Sequence, residues 1–141
     1  MKSTNTRTII LSEVDHKRLA ALIESARAGS REREDYLAAL EGELAQARVV
    51  PPGEVPPDVV TMSSTVRLRD LHSREAVTYT LVYPASADIS KNRISVLAPV
   101  GTAIIGYRQG DTIEWTVPAG LKRLRVEEIL YQPERARAGD L

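Results

Sequence analysis

Residues 49–58 read VVPPGEVPPD, with four prolines and a glycine in ten positions. Proline lacks a backbone donor and biases the residue before it away from helix, so this stretch is a connector or joint. It decides the fold class, because no proline precedes it and the texture of the chain changes across it.

Upstream the periodicity is helical. Ser12 is an N-cap candidate, and Glu13 and Asp15 place acids where the positive end of a helix dipole lies. A helix over about 12–27 follows, with Leu19, Leu22 and Ala26 on one stripe and Ile23 beside them. Gly29-Ser30 interrupts the pattern. Leu37, Leu40, Leu44 and Ala47, spaced three, four, three, then predict a second helix over about 31–48. Two helices joined by a short turn are expected to fold back as an antiparallel hairpin, each covering the other's stripe.

Downstream the runs are short, β-branched and alternating. TVRLRDL (65–71) and AVTYTLVY (76–83) read as an antiparallel pair around the turn HSRE. Further strands are expected at 93–97, at 112–117 and, after the turn PAG, over 121–131. PVGTAIIG (99–106), opening on a proline and closing on a glycine, predicts one short buried helix. The expected architecture is α+β: a hairpin over 1–50, a connector over 51–58, and a module over 59–141 with a mostly antiparallel sheet and one short helix.

Composition removes several function classes. The 141 residues carry 19 Lys+Arg against 19 Asp+Glu, eight of each sign in the first 50 positions and eleven of each in the rest. Neither part is a basic arm, which argues against a protein that works by neutralising nucleic-acid phosphates, and no sequence-specific nucleic-acid binding is expected. With no cysteine there is no disulfide, thiolate nucleophile or sulfur-ligated metal. The only apolar run in MKSTNTRTIIL is three residues long, too short for a signal-peptide core or a membrane span, so a cytoplasmic protein with no membrane partner is expected.

A catalytic centre is not evident. His16 and His72 fit no metal-ligand spacing and are read as solvated surface histidines; no P-loop, GxSxG or GxGxxG occurs. Gly101 and Gly106 are read as close helix-sheet packing rather than phosphate binding. The basic clusters Arg67, Arg69, Arg74 and Lys122, Arg123, Arg125 are read as the solvent face of a sheet. Acids near the helical turn alternate with Arg31 and Arg33, a self-neutralised pattern. No enzyme, metal or cofactor is expected.

The order of DVVTMSS (58–64), TLVYPA (80–85), SVLAPVG (95–101), GD (110–111), YQPE (131–134) and GD (139–140) resembles the Gre transcript-cleavage factors of bacteria and, within that superfamily, the regulators of nucleoside diphosphate kinase (Rnk). The resemblance implies an FKBP-like carboxyl-terminal module that docks on RNA polymerase near its secondary channel, in competition with Gre factors. The segment implied to dock includes Ala98, Pro99, Val100, Ile104 and Gly106. At the hairpin tip, Gre cleavage factors carry a G-D-x-x-E pattern. Alignment from Gly29 puts Ser30 and Arg33 at the acid positions, and a shift of one puts Gly29 and Glu32 there. At most one acid remains, a poor hold on magnesium, so loss of cleavage stimulation is expected. Two alternatives stay open: a cleavage-stimulating factor using Glu32 with Glu34 or Asp35, and a regulator acting on nucleoside diphosphate kinase, a link that the family name suggests and that an indirect effect would also explain. Prolyl isomerisation is disfavoured, because the chain has no Phe and only Trp115 and five Tyr to line a proline pocket.

Overall fold

The computed structural model describes residues 9–29, 34–117 and 120–139. Strand β1 (Ile10–Ser12) leads into helix α1 (Glu13–Gly29), and α2 (Glu34–Gln46) returns to strand β2 (Arg48–Val50). β1 and β2 pair in parallel, Leu11 opposite Val49. These two strands close the root of the hairpin, where the sequence pattern had pointed only to helix ends and connector. Three residues each give too short a window for a period-two pattern to register. The predicted stripes do face each other: Leu19, Ile23, Leu37, Leu40 and Leu44 are buried, with Leu22, Ala26 and Ala47 packed at their margin.

His16 departs from the expected surface position. It is half-buried, and its Nε2 donates to the Leu44 carbonyl across the hairpin at 3.0 Å. His72 is exposed in its turn, as its neighbours imply.

Strands β3 (Thr65–Asp70), β4 (Ala76–Val82), β5 (Arg93–Ser95), β6 (Thr112–Val117) and β7 (Gly120–Tyr131) form one sheet in the order β5-β4-β3-β7-β6. All pairs are antiparallel except β4 with β5. Alternation along β3 turns Val66 and Leu68 inward, both fully buried, and leaves Arg67 and Arg69 on the outer face. Helix α3 (Pro99–Ile104) lies between β5 and β6, and α4 (Pro133–Gly139) follows β7 where the sequence suggested only a tail. The core is continuous. Ile9 and Leu11, the hairpin leucines, Val66, Leu68, Leu81, Ile104 and Val126 belong to one buried cluster, so hairpin and sheet share their interior.

The proline stretch is pinned rather than free. Val55 is buried, and Gln132, fully buried between β7 and α4, donates through Nε2 to the carbonyls of Pro56 and Val59, each at 2.8 Å. Its Oε1 accepts from the Arg135 N–H at 3.0 Å, capping α4. A bidentate ion pair from Arg108 to Asp58 ties the end of the connector to the loop before β6.

Candidate functional site

The segment from Ser95 to Gly106 is braced by its own polar groups. Ser95 Oγ accepts from the Leu97 N–H at 3.0 Å, and its carbonyl accepts from Ala98 N–H at 3.0 Å. Thr102 Oγ1 donates to the Val96 carbonyl at 2.6 Å. Ala98 is the extended residue before the helix and Pro99 takes its first turn, where a missing N–H costs nothing. Gly101 rests on the backbone of Ser95: an added Cβ would lie 2.1 Å from that carbonyl oxygen. Gly106 adopts φ +81, and a Cβ there would meet Ile9 Cβ at 2.4 Å. Both glycines therefore serve close packing, as their positions implied.

This geometry divides the five residues implied to dock. Pro99 is exposed and Ala98 and Val100 are half-exposed, so these three form a small apolar corner at the start of α3. Ile104 is fully buried and Gly106 is buried; they hold the corner from beneath and present nothing to a partner. At the hairpin tip, Gly29 ends α1, whereas Ser30, Glu32 and Arg33 lie outside the described residues.

The two basic clusters are largely matched by carboxylates on neighbouring strands. The register of β3 with β7 shifts between Arg67 and Leu68, so that Glu127 and Glu128 together span one step of β3. That bulge sets Glu127 between two arginines. Arg67 Nε donates to it at 2.9 Å and Arg69 Nη2 at 3.0 Å, while Arg67 also pairs with Glu128. The Arg69 and Arg67 guanidiniums hold the Glu127 carboxyl down to about 2. Lys122 bonds Asp70 at 2.9 Å, and Arg123 pairs with Glu114 at 2.6 Å. The outer sheet face is thus a solvated charge ladder, with most of its positive charge answered locally.

A polar cluster that periodicity did not reveal sits at the root of the hairpin. Ser12 Oγ accepts from the Asp15 N–H at 3.1 Å, a capping contact on the first turn of α1. The Asp15 carboxylate, buried at 7% exposure, leaves its own helix: Oδ2 accepts from the Met62 N–H at 3.2 Å and Oδ1 from the Tyr83 hydroxyl at 3.4 Å. Arg18 lies over the Tyr83 ring, 4.2 Å from its centroid. Nearby, Thr61 Oγ1 donates to Glu134 of α4 at 2.8 Å. Ser12, Asp15, Arg18, Met62, Tyr83 and Glu134 are among the residues lining a cavity of about 150 Å³. The pattern S-E-V-D marked Asp15 as a first-turn acid; nothing in the spacing could mark Met62 and Tyr83 as its partners, because they lie 47 and 68 positions away.

Burial pushes the Asp15 carboxyl up from an ordinary value of about 3.9 to about 6, against the lowering effect of the Met62 N–H. Burial, then the Asp15 charge, pushes the Tyr83 phenol up as well. Because the folded state holds the Asp15 proton more tightly than the unfolded chain, this group's contribution is most favourable below about pH 4 and is lost as pH rises to about 6. Between pH 7 and pH 5 it should regain about 1 kcal/mol. Asp15→Asn removes that titrating carboxyl and leaves all other titrations in place. The stability difference between the unsubstituted chain and this variant, from urea unfolding, should therefore move by about 1 kcal/mol in favour of the unsubstituted chain from pH 7 to pH 5. A difference independent of pH would show that Asp15 is already ionised at pH 5.

Among the described residues no three His, Cys, Asp or Glu side chains are placed to hold a metal ion, and no helix is long and apolar enough to cross a membrane.

Known proteins match both parts of the chain. Residues 7–50 match the Rnk N-terminus family, and residues 55–131 match the GreA/GreB transcription elongation factor C-terminal family. The Regulator of nucleoside diphosphate kinase of Escherichia coli K12 is 43% identical over 130 residues, covering 92% of this chain and 93% of that protein. Transcription elongation factor GreA of Trichlorobacter lovleyi is 42% identical over 93 residues, which is 66% of this chain and 59% of the longer GreA. A solved GreA/GreB elongation factor from Nitrosomonas europaea superposes with a TM-score of 0.72 at 47% identity, covering 87% of this chain and 99% of that one. The α+β arrangement of helical hairpin and mostly antiparallel sheet is thus a Gre-like fold, and the chain belongs to the GreA/GreB transcription elongation factor family, in its Rnk branch of regulators of nucleoside diphosphate kinase.

Proposed function

We propose that this Gre-like transcription factor is a non-catalytic regulator that binds RNA polymerase beside its secondary channel and competes there with Gre-type factors. One observation carries the reading: a Gre-type module is joined to a short hairpin. Helices of 17 and 13 residues at about 1.5 Å per residue give an arm of about 20 to 25 Å. Such an arm covers or partly enters a channel without carrying a pair of acids to a distant active centre. The tip sequence agrees, since Ser30 and Arg33, or Gly29 and Glu32, stand where a cleavage factor has two acids. The apolar corner of Ala98, Pro99 and Val100 supplies the docking contact, braced by the buried Ile104 and Gly106.

Purified core polymerase loaded with a labelled Gre factor tests this reading. Micromolar amounts of the chain should displace the label, and addition to a backtracked elongation complex should leave transcript length unchanged. Shortened transcripts would instead identify a cleavage factor using Glu32. Absence of binding at micromolar concentration would sink the docking reading, and a pull-down with nucleoside diphosphate kinase would then decide whether contact with the kinase is direct.

A further inference from the structure

The geometry at the root of the hairpin points to a latch: Asp15, Arg18 and Tyr83 are positioning residues that hold the hairpin at one angle to the sheet, and this angle governs how well the hairpin excludes a competitor. The inference rests on the polymerase-binding reading above and deepens it.

Each link of the latch crosses from α1 to the sheet module. Asp15 takes the Met62 N–H and the Tyr83 hydroxyl, one on each carboxylate oxygen. Arg18, three residues on and so on the same helix face, clasps the Tyr83 ring from above at 4.2 Å. Among the described residues the rest of the direct junction of β1 and α1 with the sheet module is mostly apolar, apart from one long backbone bond from the Ile10 N–H to the Gly106 carbonyl at 3.4 Å. Ile9 against Gly106 and the shared leucine core resist separation of the two parts, but burial of apolar area is non-directional and defines an angle poorly. Hydrogen bonds are directional, so even these long contacts at 3.2 and 3.4 Å favour one orientation. A carboxylate at 7% exposure also opposes folding when ionised, as its upward-shifted titration records. The cost of burying that charge offsets much of what its bonds return, so what Asp15 contributes is chiefly geometry.

Lever length turns a small angle into a functional quantity. Ala28 lies 13 residues beyond Asp15 on α1, about 20 Å along the helix. A tilt of about 10° at the root would move that point by about 3 to 4 Å over that length, the size of a side chain.

The absence of cysteine makes the angle measurable. Ala28→Cys and Ser73→Cys, both at exposed positions, accept spin labels on the hairpin and on the β3–β4 turn. The unsubstituted background should give one narrow distance distribution. Asp15→Ala and Tyr83→Leu should shift or broaden it by about 3 Å or more on the same lever. Asp15→Asn keeps an acceptor for Met62 N–H and a polar partner for the Tyr83 hydroxyl, and should restore the narrow distribution. On core polymerase, Asp15→Ala should bind within about twofold of the unsubstituted chain, since the docking corner is elsewhere, yet displace a Gre factor about fivefold less well or worse. An unchanged distribution in both Asp15→Ala and Tyr83→Leu overturns the latch. A changed distribution with undiminished displacement overturns its role in exclusion. Should the unsubstituted chain fail to bind polymerase, the docking reading and the exclusion role fall together, while the distances still decide whether the latch exists.

Discussion

Gly101→Ala is expected to be among the most damaging single substitutions in the chain, although it adds one methyl group. The new Cβ would lie 2.1 Å from the Ser95 carbonyl oxygen, 2.9 Å from Val96 Cα and 3.0 Å from the Ser95 carbonyl carbon. All three are backbone atoms, so no side chain can rotate away. Either α3 moves off the end of β5 or the strand end distorts, and the second course breaks the bond from Val96 N–H to the Val82 carbonyl that continues the sheet. The expected loss is about 3 kcal/mol, seen as a melting point lower by about 10 °C in a domain of this size. On the docking reading proposed above, the Ala98 to Val100 corner is the outer side of the same turn, so polymerase binding should fall with it by about tenfold. Gly42→Ala provides the contrast. Gly42 lies within α2, and a methyl group added there would meet nothing within 4 Å, so the same change should raise stability by about 0.5 to 1 kcal/mol. If Gly101→Ala melts within about 2 °C of the unsubstituted chain, the close approach of α3 to Ser95 is not what holds this corner.

Gln132→Leu is expected to have a comparable effect by an opposite route, removing contacts instead of adding volume. Leucine fills most of the space of the glutamine but leaves the Pro56 and Val59 carbonyls and the Arg135 N–H without their present partner. Unmet polar groups at a buried site cost about 1 to 3 kcal/mol each, and water admitted at the connector relieves part of that, so about 3 kcal/mol in total is expected. Gln132→Glu should be no better at neutral pH, because a carboxylate has no N–H to offer the two carbonyls. Urea unfolding measures the total, and limited proteolysis within residues 51–58 reports whether the connector loosens first. A loss under about 1 kcal/mol, with unaltered cleavage of the connector, would mean that the prolines hold their path without Gln132.

Much of the fold was legible in local pattern. The leucines at 37, 40 and 44 predicted a buried stripe because helical periodicity repeats within one window, and all three are buried. The inward Val66 and Leu68 and the outward Arg67 and Arg69 followed from a period of two. Strands β1 and β2 did not, because three residues carry no measurable period and they exist only by pairing with each other. Helix α4 escaped for a related reason: Pro133 and Glu134 are good first-turn residues, but the element is seven residues long with no apolar stripe. The segment proposed to dock shows the division within one motif. Its Pro99 start and its glycines were readable, whereas the choice of Val100 as partly exposed and Ile104 as fully buried depends on which side of a six-residue helix meets the sheet.

Sequence alone determined whatever depends on neighbours a few positions apart: the helical hairpin, the alternating strands and the balance of charge. Only the tertiary structure decided the pairings whose partners are remote in the chain. It placed Asp15 against Met62 and Tyr83, Gln132 against Pro56 and Val59, and Glu127 between two arginines of β3. The physical reason is that a hydrogen bond is set by direction and distance in space, and residue type states only that a donor or acceptor is present. The proline stretch with which the two halves of the chain meet is the plainest case. Its composition announced a joint, and a buried carboxamide from 73 to 76 residues away bonds the Pro56 and Val59 carbonyls there, beside the Arg108–Asp58 ion pair.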